Sequence, residues 1–400
     1  MRLVYLVHNL NDPAVEKRVS MLKAGGVDTL IAGFWRGEAP PADVAGIKPW
    51  ALGKTKDAAF AARAFASVKN ATANASLARK IGHADVLMAR NLEMLAIATG
   101  LAGKFKRRPA IVYEVLDIHR LMLSNKPWAV GLRSFERFLL RDVDVLVTSS
   151  PGFLREYFDP LQFARSRPDV ALVENKILSW TGATPARARA DLVAGPPWYI
   201  GWFGMIRCRR SLEILSNLAR RRPDLLRVEI HGRPTGELTE ALEKVLPSTP
   251  GLTFGGAYTP TDLPELYGGM HFSWSIDYFE ADTNSRWLLP NRIYEGGPHN
   301  VVPLAVRGTE TGRWLDRFGL GVLMDAPERE LEGLLEQLTP QSYAALKRAS
   351  MDAPRSAFVA DQSDCDRLRG ILSNALWHRS GATSVGKRLP ARPTAALESM

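Results

Sequence analysis

Cysteine is nearly absent from this chain. Cys208 and Cys365 are the two in 400 residues, far apart and without the spacing of partners. Neither a disulfide framework nor a Cys-based zinc site is expected, and a reducing cytoplasm is the expected compartment. Long apolar runs are missing too. None reaches the roughly 18 residues of a membrane-spanning helix. The apolar stretch behind Met1 is too short for a signal peptide and has no small-residue cleavage site, so it reads as a first strand. The first strand-to-helix turn carries no G-x-G-x-x-G, which excludes a dinucleotide fingerprint there. Asp277, Glu280 and Asp282 cluster on one loop, but without an Asp-x-Asp pair, so no metal is expected. No nucleic-acid module or aromatic-basic stacking pattern occurs, and nucleic acid is not an expected partner. Internal repeats are absent.

What is present is an ordinary globular composition, 46% hydrophobic and 24% charged. Its length exceeds one core, and two domains of about 180 residues are expected. The net charge of +10 is unevenly spread. Residues 1–180 hold 26 Lys and Arg against 17 Asp and Glu, whereas residues 181–400 hold 26 against 25. A basic face of this kind meets anionic lipid, phosphorylated substrates or simply solvent. Lys104, Lys106, Arg107 and Arg108 are its most compact run.

Apolar strand runs alternate with helical patterns in both halves, which predicts an α/β fold of two doubly wound domains. In the first half, strands are expected at residues 3–8, 28–34, 85–90, 110–115, 143–148 and 170–174. Asp12 and Pro13 read as cap and first residue of a helix. Residues 54–82 read as one long amphipathic helix or two shorter ones. Trp128, Leu132, Phe135 and Leu139 form a helical apolar stripe, expected in the core. Residues 181–197 read as a linker. In the second half, strands are expected at 199–203, 227–230, 252–254, 270–275, 301–306 and 321–324, with Ser211 capping a helix and a last helix at 363–378. Domains are therefore expected at 1–180 and 198–378, with a disordered tail at 379–400.

Open α/β sheets bind ligands at the C-terminal ends of their strands. In the first half those ends carry His8, Asn9, Asn11, Arg90, Asp117 and His119. In the second half they carry Gly204, Arg207 and Arg210, then Gly232. The segment around Pro290 reads as a short helix, a Gly296-Gly297-Pro298 turn and a buried strand. Glu295 on it suits two ribose hydroxyls, and the glycines suit a close backbone or positive φ. A solvated Glu is the alternative. The arginines, with a helix N-terminus, suit a diphosphate. Asn284 and Ser285, beside the acidic loop, offer polar groups for sugar hydroxyls, with a solvated loop as the alternative.

Four stretches carry a resemblance. They are the run from Asn9 to Arg18, Tyr113-Glu114-Val115-Leu116-Asp117-Ile118-His119, the run from Gly201 to Ser211, and Pro290-Asn291-Arg292-Ile293-Tyr294-Glu295. Over about residues 1–375 the chain resembles GT-B glycosyltransferases of the large family-4 type, in particular bacterial exopolysaccharide transferases. That resemblance implies two Rossmann-like domains facing across a cleft, acceptor on the first and donor on the second. Donor contacts would come from Gly204, Arg207, Arg210, Gly232, Asn284, Asn291, Glu295 and Gly296. Acceptor contacts would come from Asn9, Asn11 and Arg90, and catalytic groups from Asp117, His119 and Asp282. In that family two glutamates stand eight positions apart. Glu295 matches the second, and Trp287 stands at the first. Either Asp282 or Glu280 is left to supply that carboxylate. The implied reaction is retaining transfer of a hexose from a UDP-sugar to a saccharide, without cofactor or metal. The acceptor would be linked to a polyprenyl diphosphate at the anionic inner leaflet, which makes the protein cytoplasmic and peripheral to the membrane. A non-hydrolysing nucleotide-sugar epimerase and a catalytically silent nucleotide-sugar-binding protein are the rival readings.

Overall fold

The computed structural model describes residues 1–55, 71–163, 167–179 and 192–381. Of the predicted helix at 54–82, the described part is helical from Ala71 to Ile81, and residues 56–70 lie outside the description. So do most of the linker and the tail from residue 382.

The first sheet contains β1 (Arg2–Val7), β2 (Asp28–Trp35), β3 (Trp50–Lys54), β4 (Val86–Arg90), β5 (Ala110–Val115), β6 (Val145–Thr148) and β7 (Asp169–Leu172). All are parallel, in the order β3-β2-β1-β4-β5-β6-β7. Successive strand residues serve opposite faces. Val4, Leu6, Leu87 and Ala89 fill one apolar cluster, and Leu3, Tyr5, Val86 and Met88 the other. Burial on both faces is why these strands read as unbroken apolar runs. Helix α1 (Pro13–Ala24) starts as predicted, with the Asp12 carboxylate accepting from Ala14 N at 2.9 Å.

One predicted stripe divides. In helix α2 (Pro127–Leu139), Leu132 and Leu139 are buried, but Trp128 is exposed. The buried face is made by Ala129, Leu132, Glu136 and Leu139.

A two-stranded pair, β8 (Ile177–Leu178) with β15 (Val359–Ala360), joins the segments that run between the two sheets. The second sheet has β9 (Trp198–Ile206), β10 (Leu226–Pro234), β11 (Leu252–Phe254), β12 (Phe272–Trp274), β13 (Val302–Val306) and β14 (Val322–Met324). It is also parallel, in the order β11-β10-β9-β12-β13-β14. Helix α3 (Arg209–Arg221) is capped by Cys208, whose Sγ accepts from Ser211 N at 3.3 Å. Ser211, the predicted cap, lies fully buried inside the first turn. Helix α4 (Asn291–Gly296) precedes β13. The last helix, α5 (Gln362–Gly381), returns to the first sheet. There Cys365, Leu368, Leu372 and Ala375 join Tyr5, Val19 and Leu22 in one cluster.

Candidate active site

The C-terminal strand ends of the two sheets border one cleft of about 600 Å³. Its lining on the second sheet begins with two glycines. Gly204 and Gly232 are register partners on β9 and β10, with φ of +108° and +143°. A Cβ on Gly232 would stand 1.7 Å from the Gly204 carbonyl oxygen. The strand ends therefore run closer than any side chain permits, leaving bare backbone at the cleft. Arg292 ties this region together from below. Its Nε donates to Phe203 O at 2.6 Å, and its Nη1 to Trp274 O and Ile276 O, both at 3.3 Å. One guanidinium thus fixes the ends of β9 and β12.

Glu295, one helical turn beyond Asn291, is half-buried. It accepts from Tyr258 Oη at 3.4 Å and Tyr267 Oη at 3.5 Å. Burial raises its pKa, while Lys17 and Arg292 oppose the rise. Lys17 belongs to α1, across the cleft. Burial lowers its pKa to about 8, and Glu295 is the strongest of the charges facing it. Lys17 Nζ donates to Asn175 O at 3.1 Å, and Asn175 Nδ2 donates to Asn291 Oδ1 at 2.8 Å. A polar chain therefore links the two domains beside Glu295. Arg207 is held by Asp277, with Nη2 to Oδ2 at 2.7 Å, and its guanidinium lies 5.1 Å from the Phe279 ring centre. Opposite them, Asp117 reaches solvent at the end of β5, although protein crowds around it. Loss of hydration raises its pKa, Arg207 opposes, and Glu280 and Asp12 add to the rise.

The structure thus brings Asp117, Gly204, Arg207, Gly232, Asn291 and Glu295 to one cleft. It does not bring the others. Arg210 pairs with Glu328 at 2.7 Å and stacks over Tyr278. Arg210 and exposed Asp282 instead line an adjoining hollow of about 230 Å³, which shares Asp277, Leu288 and Pro290 with the cleft. His119 caps the short helix Arg120–Leu123, its Nδ1 accepting from Leu121 N at 3.2 Å. Asn284 is buried at the domain contact, where Oδ1 accepts from Ile118 N at 3.0 Å. Glu280, the other candidate carboxylate, accepts from Asn284 Nδ2 at 2.6 Å. Gly296 packs on Tyr267, and a Cβ on Gly297 would meet Phe358 at 2.1 Å. These two glycines serve tight packing, and the positive φ of this turn falls on Asn300 at 58°. Asn9 and Asn11 are used within the first domain, where Asn9 Oδ1 accepts from Asn11 N at 3.2 Å and Asn11 Oδ1 accepts from Arg36 N, just past β2, at 3.2 Å. Arg90 is buried, with Nε to Glu114 at 2.8 Å and Nη1 to Asp12 at 3.3 Å. Trp287, at the position of the first family glutamate, packs on the first domain's core, and its carbonyl accepts from Ser150 Oγ.

Tyr258 escaped the sequence reading, and Lys17 and Asn175 were given no site role in it. Lys17 lies on a helix face that looks solvated in sequence, and only domain closure places it near Glu295. Asn175 carried a weak signal, as a polar residue just past a strand end.

Among the described residues, no group of three or more His, Cys, Asp or Glu side chains is placed to hold a metal ion. Two doubly wound sheets with their C-terminal edges on a shared cleft are the GT-B architecture. Comparison with known proteins gives the same fold. Sucrose-phosphate synthase from Thermosynechococcus elongatus superposes with a TM-score of 0.69 at 12% identity, covering 95% of this chain and all of that one. Anabaena HepE in complex with UDP-glucose gives 0.65 at 15% identity, over 94% of this chain and all of that one. No family model matches the chain. In sequence it is 42% identical over 377 residues to the succinoglycan biosynthesis protein ExoL of Rhizobium meliloti (strain 1021), covering 92% of each chain. The chain belongs to the family of that protein, the GT-B glycosyltransferases related to bacterial exopolysaccharide biosynthesis enzymes.

Proposed function

We propose that the protein moves a hexosyl group, of the glucose type, from a UDP-sugar to a hydroxyl of a saccharide carried on a polyprenyl diphosphate. One observation carries this reading. The cleft gathers Glu295, Gly204, Gly232 and Arg207 on the second sheet against Asp117 on the first. Glu295 takes the ribose hydroxyls, with Tyr258 and Tyr267 holding its carboxylate in place. The bare backbone at Gly204 and Gly232 lets the diphosphate approach. Arg207, oriented by Asp277, neutralises the charge that develops as the diphosphate departs. Asp117, whose raised pKa suits proton acceptance, takes the acceptor hydroxyl's proton. The bond from sugar C1 to the diphosphate oxygen breaks, the bond from C1 to the acceptor oxygen forms, and UDP leaves. HepE, of the same fold, has been solved with UDP-glucose, which supports the choice of donor. The succinoglycan role of ExoL supports an exopolysaccharide acceptor. A lipid-linked acceptor puts the work at the anionic inner leaflet.

Calorimetry with UDP and transfer assays test this together. Glu295→Ala should weaken UDP binding by about 1.5–3 kcal/mol, the range for charge-assisted hydrogen bonds. Asp117→Asn should abolish most transfer and leave UDP affinity nearly intact. Transfer should survive EDTA, since Arg207 rather than a metal faces the diphosphate. Unchanged UDP affinity in Glu295→Ala rejects the donor site. Loss of activity in EDTA, restored by Mg²⁺ or Mn²⁺, rejects the metal-free scheme.

A further inference from the structure

Glu295 has phenols for partners within its own domain, but no cation directed at it. Tyr258 Oη and Tyr267 Oη both donate to Oε2, so Oε1 is left without a protein donor among the described residues. Arg292 lies three residues before it on α4, yet its N–H groups are taken up by four backbone carbonyls. Nε donates to Phe203 O at 2.6 Å, Nη1 to Trp274 O and Ile276 O at 3.3 Å, and Nη2 to Met205 O at 3.4 Å.

The counter-charge comes from the other domain. Lys17, in the second turn of α1, is half-buried. Its Nζ donates to Asn175 O at 3.1 Å, and Asn175 Nδ2 donates to Asn291 Oδ1 at 2.8 Å. Asn291 is the first residue of α4, the helix that carries Glu295. The ammonium group is thus fixed by a chain that ends on the helix of the carboxylate it faces. Among the described residues Lys17 and Glu295 form no direct ion pair, so the lysine acts across a gap and leaves room for a ligand.

The charges around the pair agree with this. Burial raises the Glu295 pKa, and Lys17 opposes the rise more than Arg292 does, with smaller help from Tyr258 and Tyr267. Burial lowers the Lys17 pKa to about 8. Glu295 and Asp12 oppose that fall, and Arg18 and Arg90 add to it. Lys17 is therefore cationic at neutral pH. Ionisation matters for the ligand. A carboxylate accepts from two hydroxyls, whereas a carboxylic acid gives up one oxygen to its own proton.

We propose that Lys17 is a positioning residue of the donor site, whose ammonium group keeps Glu295 an anion ready for two ribose hydroxyls. The inference rests on the ribose reading of Glu295. Because Lys17 belongs to the first domain, the donor site is electrostatically complete only with that domain in place.

The test is calorimetry of the full chain with UDP-glucose at pH 5.5 and pH 8, between which its diphosphate diester does not titrate. At pH 5.5 Lys17→Met should bind about five- to tenfold more weakly than wild type, because Glu295 without its cation takes up a proton. At pH 8 the carboxylate ionises unaided, and the deficit should shrink to within about twofold. Lys17→Arg keeps the charge and should bind like wild type at both values. A deficit of equal size at the two pH values, as a direct ligand contact or a merely structural lysine would give, overturns the proposal. So does wild-type affinity of Lys17→Met at pH 5.5, or failure of Lys17→Arg to recover binding. Glu295→Ala separates the two readings. If it binds UDP-glucose like wild type, the ribose reading falls. If it binds weakly while Lys17→Met binds normally, the ribose reading stands and the role of Lys17 falls alone.

Discussion

Asn284 clasps the peptide of Ile118 in both directions across the domain boundary. Its Oδ1 accepts from Ile118 N at 3.0 Å, and its Nδ2 donates to Ile118 O. Ile118 follows Asp117 directly, so this clasp fixes the proposed base relative to the donor domain. Asn284→Ala removes two hydrogen bonds worth about 1 kcal/mol each. Transfer should fall about 10- to 30-fold, through kcat more than through donor affinity. A variant with wild-type kcat shows that the clasp does not set the geometry of the reacting groups.

Glu114 bridges two buried cations, Arg18 at 2.6 Å and Arg90 at 2.8 Å, and also accepts from Tyr5 Oη. Burial alone would raise its pKa, but Arg90 and Arg18 outweigh that and hold it at about 2. A depressed carboxylate contributes stability above its unfolded pKa and loses it as pH falls through the folded one. The loss should therefore run from about pH 4.5 down to about pH 2 and amount to about 3 kcal/mol. Glu114→Ala leaves two buried guanidinium groups short of an anion and should cost about 3–5 kcal/mol at pH 7. Urea unfolding across this range checks both figures.

Glu136 runs the other way. It is buried under α2, accepting from Tyr113 Oη at 2.7 Å and Tyr157 Oη at 2.6 Å. Burial raises its pKa to about 7, with the two phenol hydrogen bonds opposing. A raised carboxyl contributes its stability below the unfolded pKa, and that contribution is lost as pH climbs through 7. Glu136→Gln cannot ionise. Measured against wild type, its gain should be about 2 kcal/mol larger at pH 8 than at pH 5.5. Equal differences at the two pH values contradict this assignment.

Two glycines should separate by phenotype. Gly232→Ala pushes a Cβ into the Gly204 carbonyl at a positive φ, so it should distort the cleft and weaken UDP binding more than tenfold. Gly297→Ala pushes a Cβ into Phe358 and should cost about 1–3 kcal/mol of stability by overpacking. Its UDP affinity should stay near wild type. Thermal melts and calorimetry on both proteins would expose a reversal.

The alternating strands and helices were legible because strands buried on both faces leave unbroken apolar runs, as at residues 86–90 and 110–115. The place of Gly204, Arg207 and Glu295 on the cleft was legible because turn chemistry and charge sit next to each other in sequence. Arg90 misled for the same reason. A cation at a strand end looks like a ligand contact, and nothing local reveals that Glu114 and Asp12 enclose it. Asn284 shows the same blindness, since its partner Ile118 is 166 positions away. Trp128 was assigned inward with Leu132 and Leu139, which are buried, but it stands in the first turn of α2, where helical spacing does not show that the core has ended. Gly296 and Gly297 looked conformational, but their neighbours Tyr267 and Phe358 make them steric.

The return of α5 to the first sheet bears on how the chain is made. During synthesis the amino-terminal strands leave the ribosome early, yet one layer of their core waits for Cys365, Leu368, Leu372 and Ala375. Until then Val19 and Leu22 on α1 keep an uncovered apolar side. The second domain, complete by about residue 359, where Ala357, Phe358 and Val359 close its apolar cluster, can close first. The domain that begins the chain is thus the last to finish folding, against the usual amino-to-carboxyl order of vectorial folding.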